Sequence, residues 1–193
     1  MKKPEEIKQL LAHVEGAGVY CWISGEAIVS FFLDAKINEV DIYCGNNKER
    51  MLAEGHLFKN GFKVIKRSPL GAKMRKGKIV INILFCKSTP EETILRFDFS
   101  ICCVAFDSEG VFYCHERFFQ DLEEKNLFFT NNSESIGGYS FKNRCNRLSS
   151  FLKKGFKMEK DTLLFWLKKL EENQKILRNN KIPKISTFKV LKY

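Results

Sequence analysis

The chain has 193 residues, 44% hydrophobic and 29% charged, with a net charge of +10. That is enough apolar material for one ordinary domain, or a compact domain with a small appendage, and it excludes a disordered or disulfide-scaffolded chain. No stretch approaches the roughly 20 apolar residues needed to span a bilayer, and the polar start Met1-Lys2-Lys3-Pro4-Glu5-Glu6 lacks the apolar run of a signal peptide. Seven cysteines, most of them inside apolar segments (Cys21, Cys44, Cys86, Cys102, Cys103), read as reduced, buried thiols. A cytoplasmic protein without a membrane partner is expected.

The charge is unevenly placed. Residues 142–193 hold 15 Lys/Arg against 4 Asp/Glu, whereas residues 1–141 hold 18 against 19. A second basic stretch runs from Leu57 to Pro90, with nine Lys/Arg and no Asp or Glu. Such patches suit phosphate-rich partners, and a merely solvated lysine-rich surface is the alternative.

In chain order, Pro4–His13 has helical spacing of Ile7, Leu10 and Leu11, and Val19–Ile23 is a short buried strand. Gly25–Leu33 is helical, Val40–Cys44 a strand, and Glu49–Lys59 an amphipathic helix that stops before Gly61. Phe62–Lys66 and Lys78–Phe85 are strands separated by a Pro/Gly/basic turn at 68–76. The apolar run Ile79–Phe85, broken only by Asn82, belongs inside a sheet. Pro90 opens a short helix. Phe97–Phe106 is an apolar block interrupted by Asp98 and Ser100. A turn at 107–110, a strand at Val111–Cys114 and a helix at Glu116–Glu124 follow. The polar stretch Asn131–Gly138 is the best linker, after which helices are expected at Ser140–Lys154 and Asp161–Asn179. The pattern is α+β: a mixed sheet flanked by helices (residues 1–138), then a small basic helical region (139–193).

The segment Ile23–Cys44 carries the most chemistry. A strand ends in Ser24-Gly25, a helix starts at once, and the next strand carries Glu39-Val40-Asp41. Residues two apart in a strand point the same way, so Glu39 and Asp41 present two carboxylates to one side. Their repulsion is relieved by a divalent cation, and the adjacent glycine and helix start suit a phosphate. Metal and phosphate sites side by side are what two-metal phosphoryl or nucleotidyl transfer requires. A solvated charge pair is the competing reading. His56 reads as a surface residue, Cys102, Cys103 and Cys114 as thiols rather than zinc ligands, and Phe151, Phe156 and Phe165 as helix packing rather than base stacking.

Gly25-Glu26-Ala27-Ile28 through Glu39-Val40-Asp41-Ile42-Tyr43 resembles the signature of the polymerase-β-type nucleotidyltransferases: Gly-Gly or Gly-Ser, a helix, then two acids flanking an apolar residue. Independently, Arg96-Phe97-Asp98-Phe99-Ser100-Ile101 resembles the Arg-Arg-Asp-Phe-Thr-Ile-Asn motif of CCA-adding enzymes. Phe119-Gln120-Asp121-Leu122 resembles the Gly-x-x-Asp-Leu that follows it there, and Asn146-Arg147-Leu148 and Lys154-Gly155-Phe156 stand where the first neck helix lies. The likeness spans roughly residues 19–158 and fits small viral or phage-like versions, which keep the head and one helical segment.

The resemblance implies Mg²⁺ or Mn²⁺ on Glu39 and Asp41, and an NTP substrate against Ser24, Gly25 and Glu26. It further implies a nucleotide pocket shaped by Arg96 and Asp98, with Asp98 a candidate third catalytic carboxylate. Three positions depart from the pattern. Glu26 stands where the family has Gly or Ser, Glu39 where it usually has Asp, and Asn82 where a third acid is often found. The expected function is template-independent transfer of a nucleoside monophosphate to an acceptor hydroxyl. Lys73, Arg75, Lys76, Lys153, Lys154 and Lys157 would guide an RNA acceptor, tRNA-like or other. The alternative is a nucleotidyltransferase fold that has lost catalysis and binds nucleotide, RNA or protein.

Overall fold

A computed structural model describes residues 4–130, 141–165 and 167–168 of the chain. It contains a seven-stranded mixed sheet in the order β3-β4-β5-β2-β1-β6-β7. The strands are β1 (Cys21–Ser24), β2 (Val40–Cys44), β3 (Lys63–Ser68), β4 (Gly71–Lys76), β5 (Ile79–Phe85), β6 (Val104–Asp107) and β7 (Phe112–Cys114). The helices are α1 (Glu26–Phe32), α2 (Asn47–Lys59), α3 (Pro90–Ile94), α4 (Phe118–Glu123) and α5 (Phe141–Lys153). This is the expected α+β architecture with helices flanking a mixed sheet. The proposed linker at 131–138, the boundary at 138/139 and most of the helix expected at 161–179 lie outside the described residues.

β2 and β5 run parallel, joined by α2 and the β3–β4 hairpin, while β1 is antiparallel to both β2 and β6. β5 lies inside the sheet as its apolar run requires. The expected turn at 68–76 is corrected: only Pro69 and Leu70 turn, Ser68 ends β3, and Gly71–Lys76 is a strand paired along its whole length with β5. Its apolar signal is confined to alternating Ala72 and Met74, both buried, between Lys73 and Arg75. Gly71 permits that pairing, since a Cβ there would lie 1.8 Å from the carbonyl oxygen of Ile83. The N-terminal helix is shorter than expected and of 3-10 type, Pro4–Leu10. α3 is closed by a capping box in which Thr89 and Glu92 bond each other's backbone amides.

The core lies between the sheet and its flanking helices, with Ala53 and Leu57 of α2 and Phe151 of α5 among the residues it buries. Trp22, Ile23, Ile42, Ile81, Ile83, Phe99, Phe118 and Phe151 are fully buried. Aromatic edges interlock there: Phe99 meets Phe129 and Phe151, and Phe32 meets Phe112, Phe118 and Phe119. Phe151 and Phe156 pack as expected of helix residues, so α5 shares the core of the head. The chain leaving α5 is tied on by the amide of Leu127 to the carbonyl of Lys157, and the amide of Lys157 to that of Lys125. Asp107 holds the β6–β7 turn, accepting from the amides of Glu109 and Val111 and from the hydroxyls of Tyr20 and Tyr113. Asp121, the acid of the Phe-Gln-Asp-Leu motif, is fully buried and accepts from Ser100, Arg117 and Asn126.

Candidate active site

Three neighbouring strands build a polar row. Asp41 on β2 is in register with Asn82 on β5, which is in register with Lys73 on β4. The Asn82 amide donates to Asp41 Oδ1 over 3.1 Å. Glu39, the residue before β2, accepts from Lys73 Nζ at 2.5 Å. The alternation that buries Val40, Ile42 and Cys44 leaves Asp41 on the opposite, polar side of the strand. Burial pushes the Asp41 carboxyl up to about 6, and the charge of Glu39 adds to the rise. The hydrogen bond from Asn82 and the positive charges of Lys73 and Arg147 oppose it. The two carboxylates thus act on one another, and a cation already sits on one of them.

The sequence places Lys73 among the residues that guide a polyanion. Its ammonium is instead held at Glu39, because β4 is a sheet strand in register with β5 rather than part of a solvated turn. Arg75 and Lys76, on the same strand, are exposed, and Lys76 lies over the Phe62 ring.

The β1–α1 junction is tightly specified. The Ser24 hydroxyl donates to the carbonyl of Val104 over 2.6 Å and is buried. Gly25 has φ 80°, and a Cβ there would meet the Phe97 ring at 3.2 Å. The left-handed backbone and the aromatic neighbour together demand glycine. The Gly25 amide is committed to the Val104 carbonyl at 3.1 Å, so it does not face a phosphate. Helix bonding in α1 starts with Ile28 to Gly25, which leaves the amides of Glu26 and Ala27 ahead of the helix's own hydrogen bonds.

Glu26 turns toward α5. Its Oε1 accepts from Lys154 Nζ at 2.5 Å and from the Ser150 hydroxyl at 3.2 Å. Lys154, expected to contact RNA, is therefore an internal partner of the head, whereas Lys153 and Lys157 are exposed.

The structure separates Arg96 from Asp98. Arg96 is exposed, with Nη1 3.4 Å from the sulfur of Cys86, because it lies in the turn that closes α3, its amide bonded to the carbonyl of Thr93, before the chain enters the core at Phe97. Asp98 is buried and accepts from Arg147 Nη1 at 2.7 Å. Arg147 also lies 5.9 Å from the Phe97 ring. Arg147 is expected from the sequence in the first neck helix, without a role. The signal that marks it is spacing: Arg147, Ser150 and Lys154 recur at helical intervals, and all three bind acids of the head.

Cys21, Cys44 and Cys103 are buried thiols pushed up to about 12 by desolvation. Among the described residues, no three or more His, Cys, Asp or Glu side chains gather in a metal-binding group, and no helix is long and apolar enough to cross a membrane.

Solved structures share this fold. The Thermotoga maritima CCA-adding enzyme complexed with tRNA-CCA aligns with a TM-score of 0.66 at 19% identity, over 92% of this chain and 44% of that one. A CCA-adding enzyme with CTP gives 0.67 at 18% identity, over 92% and 45%. A tRNA nucleotidyltransferase complexed with a primer tRNA and an incoming ATP analog gives 0.57 at 19%, over 91% and 51%. The chain therefore has a nucleotidyltransferase-like fold and spans about half the length of these proteins. No curated protein matches it in sequence. Residues 3–125, well over half of the chain, match the family described as "Gabija anti-defense 2 family protein", a description that suits a small phage-like protein, and the chain belongs to that family.

Proposed function

We propose that the protein is a divalent-metal-dependent nucleotidyltransferase that moves a nucleoside monophosphate from an NTP to an acceptor hydroxyl, without a template and with RNA as acceptor. One observation supports the reading: Lys73 pairs with Glu39, just before β2, and the charge of Glu39 adds to the burial that raises Asp41 on β2. Two carboxylates that already draw in a cation fit Mg²⁺ or Mn²⁺, since Mg²⁺ takes one or two protein carboxylates and completes its shell with phosphates and water. Bound there, the ion would neutralise charge on the transferring phosphoryl group and the departing pyrophosphate.

The rest falls to the chain itself. Asn82 orients the Asp41 carboxylate through its amide. Lys73 pairs with Glu39 and would be available to phosphate oxygens if a metal took its place there. Gly25 lets the β1–α1 turn pack against Phe97, and the amides of Glu26 and Ala27, ahead of the helix's own bonds, would be the ones to meet the triphosphate. Glu26 does not oppose that anion, because Lys154 and Ser150 hold its carboxylate. Asp98, buried on Arg147, shapes the nucleotide pocket as a positioning residue. Arg75, Lys76, Lys153 and Lys157 guide the RNA. The solved neighbours in complex with tRNA, CTP and an ATP analog support the nucleotide and RNA partners.

A second reading, a fold without catalysis that binds nucleotide, RNA or protein, is favoured by the same Lys73, which occupies Glu39 where a metal would bind. Incubating the protein with labelled NTPs, Mg²⁺ or Mn²⁺ and an RNA acceptor separates the two. Incorporation that stops in Glu39→Ala and Asp41→Ala supports the enzyme. Incorporation that survives both substitutions eliminates this site. Nucleotide binding without incorporation supports the binding module, and label transferred to protein or a small metabolite instead of RNA would replace the acceptor.

A further inference from the structure

On the far edge of the sheet from β1, a groove of about 320 Å³ opens between α2 and the β3–β4 hairpin. Met51 and Phe58 on α2 are 59% and 67% exposed at its wall, and Val64 of β3 is also exposed. Met74 forms part of its lining from below. Large apolar side chains left in solvent this way mark a contact surface when they line a concavity. Gly55 adds an independent sign. It lies in the interior of α2 and lines the groove, and a Cβ at this position would meet nothing within 4 Å. Packing therefore does not require glycine there, although glycine destabilises a helix interior relative to alanine. What its missing side chain preserves is the opening of the groove.

Charge selects the occupant. Glu54 in the groove is bonded by Arg50 at 2.5 Å and Arg67 at 2.6 Å, two cations against one carboxylate. Lys63 and Lys66 are exposed on β3, and the whole stretch 57–90 holds no acid. A second copy of this face would bring lysine against lysine, and the lysine-rich C-terminal segment of this chain would do the same. β3 is an edge strand whose register shifts between Val64 and Lys66, and with its lysines this blunts strand addition. We propose that the groove docks an acidic segment of a partner protein, whose bulky apolar side chains fill the space beside Gly55 while its carboxylates meet Arg67 and the β3 lysines. This surface is separate from the Glu39–Asp41 site and does not depend on catalysis there.

The test pans a phage-displayed random peptide library on the intact protein, with Gly55→Trp as the counter-target. Trp fills the groove from an open position, and Gly55→Ala controls for the helix. Expected is enrichment of peptides combining Asp/Glu with Leu, Phe or Trp. A synthetic winner, followed by fluorescence anisotropy, should lose affinity about tenfold or more on Gly55→Trp and on Phe58→Ser, keep it on Gly55→Ala, and weaken with salt. No enrichment, enrichment without acidic and apolar bias, or winners that bind Gly55→Trp equally well would overturn the proposal. So would a single-stranded RNA oligonucleotide that displaces the winner and is itself weakened by Gly55→Trp, which would assign the groove to RNA. Nucleotide incorporation measured alongside should be the same for wild type and Gly55→Trp.

Discussion

The guanidinium of Arg147 donates to Asp98 across 2.7 Å, joining α5 to an acid that is only 1% exposed in the head. A buried carboxylate is tolerated only with a partner, so each of these two residues depends on the other. Arg147→Ala should cost about 3–5 kcal/mol, the range for stranding one member of a buried ion pair. Asp98→Asn, which keeps a hydrogen-bond acceptor and removes the charge, should cost less. Urea melts of both single variants and the double variant check this. If Arg147→Ala melts like wild type, the pair does not hold α5 in solution.

Glu39 and Asp41 lead to a prediction with a sign that depends on pH. The folded-state value of Asp41 is raised from 3.8 to about 6. Between those two values the folded chain binds more protons than the unfolded one, so stability falls as pH rises through the window and is lowest once Asp41 is ionised. Without divalent metal, Asp41→Asn should therefore raise the melting temperature at pH 7 and do little near pH 4. Mg²⁺ or Mn²⁺ should raise the wild-type melting temperature at pH 7, and the variant should not respond. Equal metal-induced shifts in the two proteins would remove the cation site.

Lys73 competes with metal for Glu39. Replacing it with Met keeps the unbranched stem and removes the ammonium, leaving the two carboxylates unrelieved. Lys73→Met should bind Mn²⁺ more tightly than wild type in titration calorimetry while binding NTP more weakly, since the ammonium is no longer there to meet phosphate. A variant that loses both affinities together would mean that Lys73 serves only to hold β4 and Glu39 in place.

The parts that are legible from sequence obey local rules. Glu39 and Asp41 can be placed together because strand periodicity is fixed at two, and Gly25 because a strand runs directly into a helix. Ser24-Gly25 does not show that the Gly25 amide is already used by Val104, a bond to a strand 79 positions further on. β4 is hidden because Gly71–Lys76 has only two buried apolar residues and no β-branched one, so its strand state comes from pairing with β5 rather than from propensity. Arg147 and Asp98 are 49 residues apart, a separation that no pattern of spacing relates. Lys154 looks like any other residue of a basic run until its partner, Glu26, is known.

The basic residues around the end of α5 divide into those that face solvent and one that does not. Lys153 and Lys157 are exposed, while Lys154 is bound to Glu26. If the exposed pair neutralises RNA phosphates, binding should weaken steeply with salt. Replacing Lys153 and Lys157 together by Gln should then flatten the log–log salt slope by about 0.7 for each single-strand phosphate no longer neutralised. Lys154→Gln should behave differently. It frees the Glu26 carboxylate beside the amides that start α1, so it should weaken NTP binding and leave the RNA salt slope nearly unchanged. Filter binding of a single-stranded RNA across a salt series, with NTP titrations on the same proteins, reads both effects. RNA affinity that ignores salt, or a slope unchanged in the Lys153/Lys157 double variant, would leave the surface merely solvated. A Lys154→Gln protein with wild-type NTP affinity would show that the Glu26 pair serves only to dock α5.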